Sequence, residues 1–186
     1  MSTILIIILS LAAAVGLYVM TSYNSFVRLK NLVKEAWSGI DVQLKRRYDL
    51  IPNLVETVKG YATHEKSTFE EVVKLRNISS GAVSVKDKAE AETALSQGIG
   101  RLLAIAEAYP QLKADANFQS LQTSLSGIED EIQMARRYYN GTAREFNTGI
   151  QMFPGNFIAG AFGFNAPVEY FEVESEAEKK APQVKF

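Results

Sequence analysis

Twenty residues without a charged side chain, ILIIILSLAAAVGLYVMTSY at positions 4–23, precede a chain in which apolar residues recur every three or four positions. As a helix rising ~1.5 Å per residue, the uncharged run spans ~30 Å, about one bilayer hydrocarbon core. Two other readings compete with a retained anchor. A cleaved secretory signal carries a basic region ahead of its apolar core. Met1, Ser2 and Thr3 carry no side-chain charge, although Ala12 to Ala14 resemble a small-residue cleavage site. A buried core helix is the second, but so long an uncharged run at a terminus suits lipid better. Residues 1–23 are therefore read as a single membrane anchor.

Beyond the anchor, Phe26, Leu29, Val33, Trp37, Ile40 and Leu44 fall on one helical face. No turn residues intervene, so the anchor is expected to run directly into an amphipathic helix. Leu50, Leu54, Val58 and Tyr61 carry the stripe past Pro52. A proline removes one backbone donor and crowds the carbonyl four residues earlier, here that of Tyr48. A kink or short irregularity is expected at Asp49 to Pro52, within a continuing helix. Phe69, Val72, Val73 and Leu75 extend the pattern to RNISSGAVS, whose Asn, Ser and Gly residues read as a turn.

A second helix is predicted over 86–108, with Leu95, Ile99, Leu102 and Ala106 in register, ended or bent at Tyr109-Pro110. Asp115 or Asn117 can cap a third. That helix has the most regular spacing, Phe118, Leu121, Leu125, Ile128, Ile132, Ala135 and Tyr139, a heptad seam that buries its residues against partner helices. No sustained alternation of strand type occurs in the first 150 residues. The pattern predicts an all-α chain: a transmembrane helix continuing into an antiparallel up-and-down bundle of three long helices, with room for a short fourth. The bundle is placed at 24–165 and a charged tail at 166–186.

Composition narrows the function classes. The formal net charge of −1 offers no basic excess for a nucleic-acid partner. With no cysteine, disulfides, thiolate nucleophiles and cysteine metal sites are excluded. His64-Glu65 resembles the start of a zinc-protease H-E-x-x-H, but Thr68 stands where the second histidine is needed and the chain has no other. Neither a G-x-S-x-G elbow nor a phosphate-cradling G-x-x-x-x-G-K-[ST] loop is present. Gly98 to Leu102, GIGRL, matches only G-x-G within a helical segment and reads as a close helix contact. No catalytic, cofactor or metal residues are assigned.

Two stretches are candidate interaction sites. Lys45, Arg46 and Arg47 form a basic cluster, and continuing the stripe from Ile40 through Leu44 turns Arg47 inward. There a carboxylate of the third helix (Glu129, Asp130 or Glu131) can pair with it. The rival is a membrane- or partner-binding patch built on Arg46 and Arg47. Uncharged 153–164, FPGNFIAGAFGF, either caps the bundle or uses Phe153, Phe157, Phe162 and Phe164 to bind a neighbouring subunit or the bilayer surface. Arg28, Lys30 and Lys34, opposed only by Glu35, follow the anchor closely. That excess favours a cytoplasmic body with the N-terminus outside.

These residues in this order resemble the LemA family. The likeness runs over nearly the whole chain: the apolar start, then YNSFVRLKNLVKEAWSGIDVQLKRRYDLIPNLVETVKGYATHE, LLAIAEAYPQLKA, NFQSLQTSLSGIEDEI, ARRYYNGTAREFNTGIQMFP, AGAFGF and APQVKF. RRYDLIPNLV and EAYPQLKA are its most specific blocks. The resemblance implies a helical bundle anchored in the bacterial inner membrane by an N-terminal helix, with no assigned enzymatic activity. It also implies membrane peptidases or other membrane proteins as partners. The expectation is a non-enzymatic single-pass scaffold or adaptor that forms homo-oligomers and contacts lipid through its N-terminal helix. The alternative is a lipid-binding or envelope-organising module. No cofactor is expected.

Overall fold

The computed structural model describes residues 2–172; the remainder of the predicted tail, 173–186, lies outside the described residues. Among the described residues six helices follow one another: α1 Ser2–Lys59, α2 Lys66–Gly81, α3 Val85–Ala108, α4 Pro110–Lys113, α5 Ala116–Gln151 and α6 Gly155–Ala161. No strand occurs among the described residues. The chain forms two compact units. One takes α1 through Ile40 with Ala135–Tyr170, and the other takes Asp41–Met134 with Phe171.

The first unit contains the apolar run. Residues 3–18 and Met20 are exposed, and the first buried side chain on α1 is Phe26. From there Phe26, Leu29, Val33, Ala36 and Ile40 are buried at steps of three and four, and Tyr139, Ala143, Phe146 and Ile150 of α5 are buried at similar steps. Phe26 meets Gly149, and the rings of Trp37 and Tyr139 lie 5.3 Å apart. Numbers rise along α1 as they fall along α5, so this pair is antiparallel. After α6, Gly163 adopts φ 77°, a left-handed conformation that favours glycine. It lets the Phe164 N–H return to the Ala159 carbonyl at 2.8 Å while the Phe164 ring is buried. The chain then runs back along α5. The Asn147 amide exchanges two hydrogen bonds with the Val168 backbone, at 2.8 and 2.7 Å. The Tyr139 hydroxyl donates to the Glu169 carbonyl at 2.8 Å.

The second unit is an up-and-down bundle. Lys88 pairs with Asp41 at 3.1 Å and Glu92 with Arg47, so α3 runs parallel to this part of α1. Arg101 pairs with Glu71 at 2.7 Å while Gly98 lies against Leu75 and Val72, which makes α2 and α3 antiparallel. Glu129 meets Arg47, and the Tyr61 hydroxyl donates to Asp115 at 3.0 Å, so α5 runs antiparallel to α1. Asp115 is the cap of α5, its carboxylate accepting from the Phe118 N–H at 2.9 Å. That bond, with the one from Tyr61, holds the Asp115 pKa below its ordinary value.

Two expected boundaries move. The first helix does not continue through Phe69 to Leu75: it ends at Lys59, and residues 60–65 turn into α2. The turn puts Ala62, not Tyr61, on the buried side. RNISSG is the last part of α2, not a turn, and the chain reverses at Ala82 to Ser84. The Ser80 hydroxyl bonds back to the Asn77 carbonyl, a helix-compatible pattern. Helical structure continues through Pro52, as expected.

Gly98 lies where α2 and α3 approach closely: an added Cβ would sit 3.0 Å from Leu75 Cδ1 and 3.4 Å from Val72 Cγ2. Gly98→Val should push the two helices apart and lower stability by about 1–3 kcal/mol. Urea denaturation followed by circular dichroism measures this, and an unchanged midpoint would show the contact to be slack.

Candidate functional site

The most concentrated chemistry in the second unit surrounds Arg47, which is 1% exposed. Its Nη1 donates to Glu129 Oε1 at 2.5 Å and to Ser96 Oγ at 3.0 Å, and its Nη2 donates to Glu92 Oε2. The Tyr48 hydroxyl donates to the other Glu92 oxygen. Three helices thus supply one buried group. Arg47 and Tyr48 come from α1, Glu92 and Ser96 from α3, and Glu129 from α5. Arg47 Nε finds no acceptor among the described residues. Desolvation is only partly offset, so such a pair adds little net stability although losing one partner is costly.

Tyr48 joins this network to the proline. Pro52 has no N–H to donate to the Tyr48 carbonyl four residues earlier. Arg76 Nε of α2 donates to that oxygen instead, at 2.7 Å. The acceptor left by the proline is satisfied from a neighbouring helix, which explains how α1 continues through it. Burial, opposed by Arg47 and reinforced by the Asp41 charge, pushes the Tyr48 pKa up to about 12. Tyr139 of the first unit is likewise raised to about 12, first by burial and then by the Glu169 charge.

The predicted site residues separate. Arg47 is held inside the bundle by Glu92 and Glu129. Arg46 is exposed, bonds to the Gln43 side chain at 3.0 Å, and borders an open groove with Asp49, Leu50, Ile128 and Glu131. Phe164 is buried and its ring meets those of Tyr23 at 5.8 Å and Phe26 at 5.7 Å. Phe153, Phe157 and Phe162 are 79%, 69% and 51% exposed. Phe153 and Phe157 meet edge to face at 6.0 Å, and Phe162 lies 5.0 Å from Tyr23. His64 is exposed in the turn after α1, with Glu65 directly before α2, and neither lies in a helix.

Glu92, Ser96, Tyr48 and Arg76 are the participants that sequence reasoning missed. Glu92 left a signal, since three residues before Leu95 it continues the apolar stripe of α3. Arg76 left none while its segment was read as a turn. A second feature of this unit was also unmarked: a groove of about 640 Å³ between the end of α1 and α2. Val55, Phe69, Val73 and Ile78 are its apolar lining, and Lys59, Lys66 and Lys74 bring basic charge to it alongside Glu70. Among the described residues no group of three His, Cys, Asp or Glu side chains is placed to hold a metal ion.

Arg47→Met leaves the Glu92 carboxylate buried without its cation and should cost about 3–5 kcal/mol, with Arg47→Met/Glu92→Met recovering most of the loss. Equilibrium unfolding of the three proteins decides this. If the double variant is as weak as the single one, packing and not charge pairing explains the loss. The raised tyrosines favour the folded state while neutral. Their contribution is fully present below pH 10 and disappears as pH rises from there through about 12. An absorbance titration of tyrosinate should show two groups ionising at about pH 12, and Tyr48→Phe and Tyr139→Phe should each remove one.

Residues 36–186 match the family model described as LemA family. The chain is 27% identical over 191 aligned residues to Magnetosome protein MamQ 2 of Paramagnetospirillum magneticum, covering 89% of this chain and 70% of that protein. Magnetosome protein MamQ of Magnetospirillum gryphiswaldense is 28% identical over 190 residues, with 88% and 69% covered. Protein LemA of Metamycoplasma hominis is 30% identical over 137 residues, with 73% and 63% covered. Among the described residues one helix, α1, is long and apolar enough to cross a membrane, and its apolar stretch is unburied. These findings are consistent with a membrane-associated protein. With a family match over most of its length, this chain belongs to the LemA family.

Proposed function

We propose that the chain is a non-enzymatic, single-pass protein of the bacterial inner membrane whose helical body acts as a scaffold or adaptor and self-associates. The N-terminus lies outside and the body in the cytoplasm, as the exposed cations Arg28, Lys30 and Lys34 after the apolar run favour. The observation that carries the reading is the make-up of α1: exposed and apolar at its start, then amphipathic from Phe26 without a break in the helix. A water-soluble helix does not leave such a run unburied.

The buried polar groups of the second unit support a structural role, because Arg47, Tyr48 and Glu92 bind one another. The lysine-bordered groove supports recruitment. Its apolar lining and basic residues suit an amphipathic partner helix with acidic flanks, from a membrane peptidase or another membrane protein. The relatives called LemA and MamQ carry no enzyme name.

Full-length protein should stay with membranes through an alkaline carbonate wash. Native mass spectrometry from nanodiscs should then show multiples of the 20.6 kDa chain. Monomers alone would remove self-association from the proposal, and release by carbonate would remove the anchor.

A further inference from the structure

The uncharged segment around α6 occupies a particular level on α1. No Asp, Glu, Lys or Arg occurs between Glu145 and Glu169. Within that stretch Met152, Phe153, Phe157 and Phe162 are exposed. Such a cluster on a soluble surface marks a contact with something apolar. What covers it follows from where it sits. A hollow of about 260 Å³ is lined by Tyr18, Ser22, Ser25 and Phe26 of α1 together with Met152 and Phe153. Phe162 adds its ring contact with Tyr23.

Counting ~30 Å of hydrocarbon from Ile4 at ~1.5 Å per residue brings the edge of the bilayer to Tyr23. The exposed phenylalanines are therefore level with the last turns of the apolar run and displaced sideways from the α1 axis. Tyr18 and Tyr23 stand where aromatic side chains line membrane–water interfaces. Charge follows at the next turns: Arg28 and Lys30 are exposed, and Lys30 Nζ lies 5.6 Å from the Phe164 ring centre. Apolar run, aromatic layer and cations succeed one another in the order of acyl chains, interface and phosphates.

We propose that α6 and its flanking turns are a second membrane contact, an interfacial seat that places Phe153, Phe157 and Phe162 at the headgroup–acyl boundary beside the exit of α1. The inference rests on the single-pass reading of α1. A lone transmembrane helix sets depth but turns freely about its axis. A contact displaced from that axis fixes rotation and tilt, and so fixes which side of the first unit faces away from the bilayer.

The chain contains one tryptophan, Trp37, about four turns beyond Tyr23, which supplies the background emission. Full-length Phe157→Trp, Phe153→Trp and Leu9→Trp proteins, checked for helicity, are reconstituted in phosphatidylcholine–phosphatidylglycerol vesicles. The lipids carry bromine either high or low on the acyl chain. The added tryptophans at 157 and 153 should lose about twofold or more of their emission to shallow bromines and less to deep ones. Leu9→Trp should show the reverse preference. Quenching at position 9 with none at 157 and 153 overturns the seat and leaves the anchor intact. No quenching at position 9 overturns the anchor and the seat with it. Unquenched but blue-shifted emission at 157 that reddens when the protein is diluted in lipid assigns the surface to a second copy, and also overturns the proposal.

Discussion

A guanidinium buried in a helical bundle must be given acceptors by the helices around it, and Arg47 obtains them from two. Glu92 and Ser96 of α3 and Glu129 of α5 bind its two terminal nitrogens. Slipping either helix by one residue would swing its carboxylate about 100° away from the guanidinium, leaving charge in a low-dielectric interior. Apolar seams tolerate small slips far better, because one aliphatic contact replaces another. The ion group therefore acts on register more than on net stability. Tyr48 extends the same control to α2. Its hydroxyl joins Glu92, while its carbonyl takes the donor from Arg76 that Pro52 cannot supply.

α1 meets two kinds of surroundings. From Ile4 to Tyr18 its side chains are uncharged on every face and exposed, and from Phe26 onward only one face is apolar and that face is buried. A helix hydrophobic all round needs lipid or a protein interior, whereas a striped one needs helix partners and water. The change occurs over about two turns, beside α6 and its aromatic side chains. The charged and polar groups that could have signalled chemistry serve other ends: Asp115 caps α5, Asn147 and Tyr139 hold the chain after α6, and Arg47 joins helices.

The all-α character, the apolar run, the seams on α1 and α5 and the Asp115 cap are all legible in the order of residues. Each is local, depending on spacing within one helix or on a side chain bonding to backbone a turn away. The inward turn of Arg47 follows from the same spacing, and so does the short list of acidic residues on α5 that includes Glu129. Only folding could choose Glu129 from that list, add Glu92 and Ser96, and set Arg76 against the Tyr48 carbonyl. Those choices join residues 28 to 82 positions apart. The break after Lys59 and the helical fate of RNISSG escaped for a related reason, since local propensity there is weak and packing of α2 on α3 overrides it. The separation of buried Phe164 from exposed Phe153, Phe157 and Phe162 was likewise settled in three dimensions. Four like residues in an uncharged segment differ only by which of them the turn at Gly163 carries back onto α1.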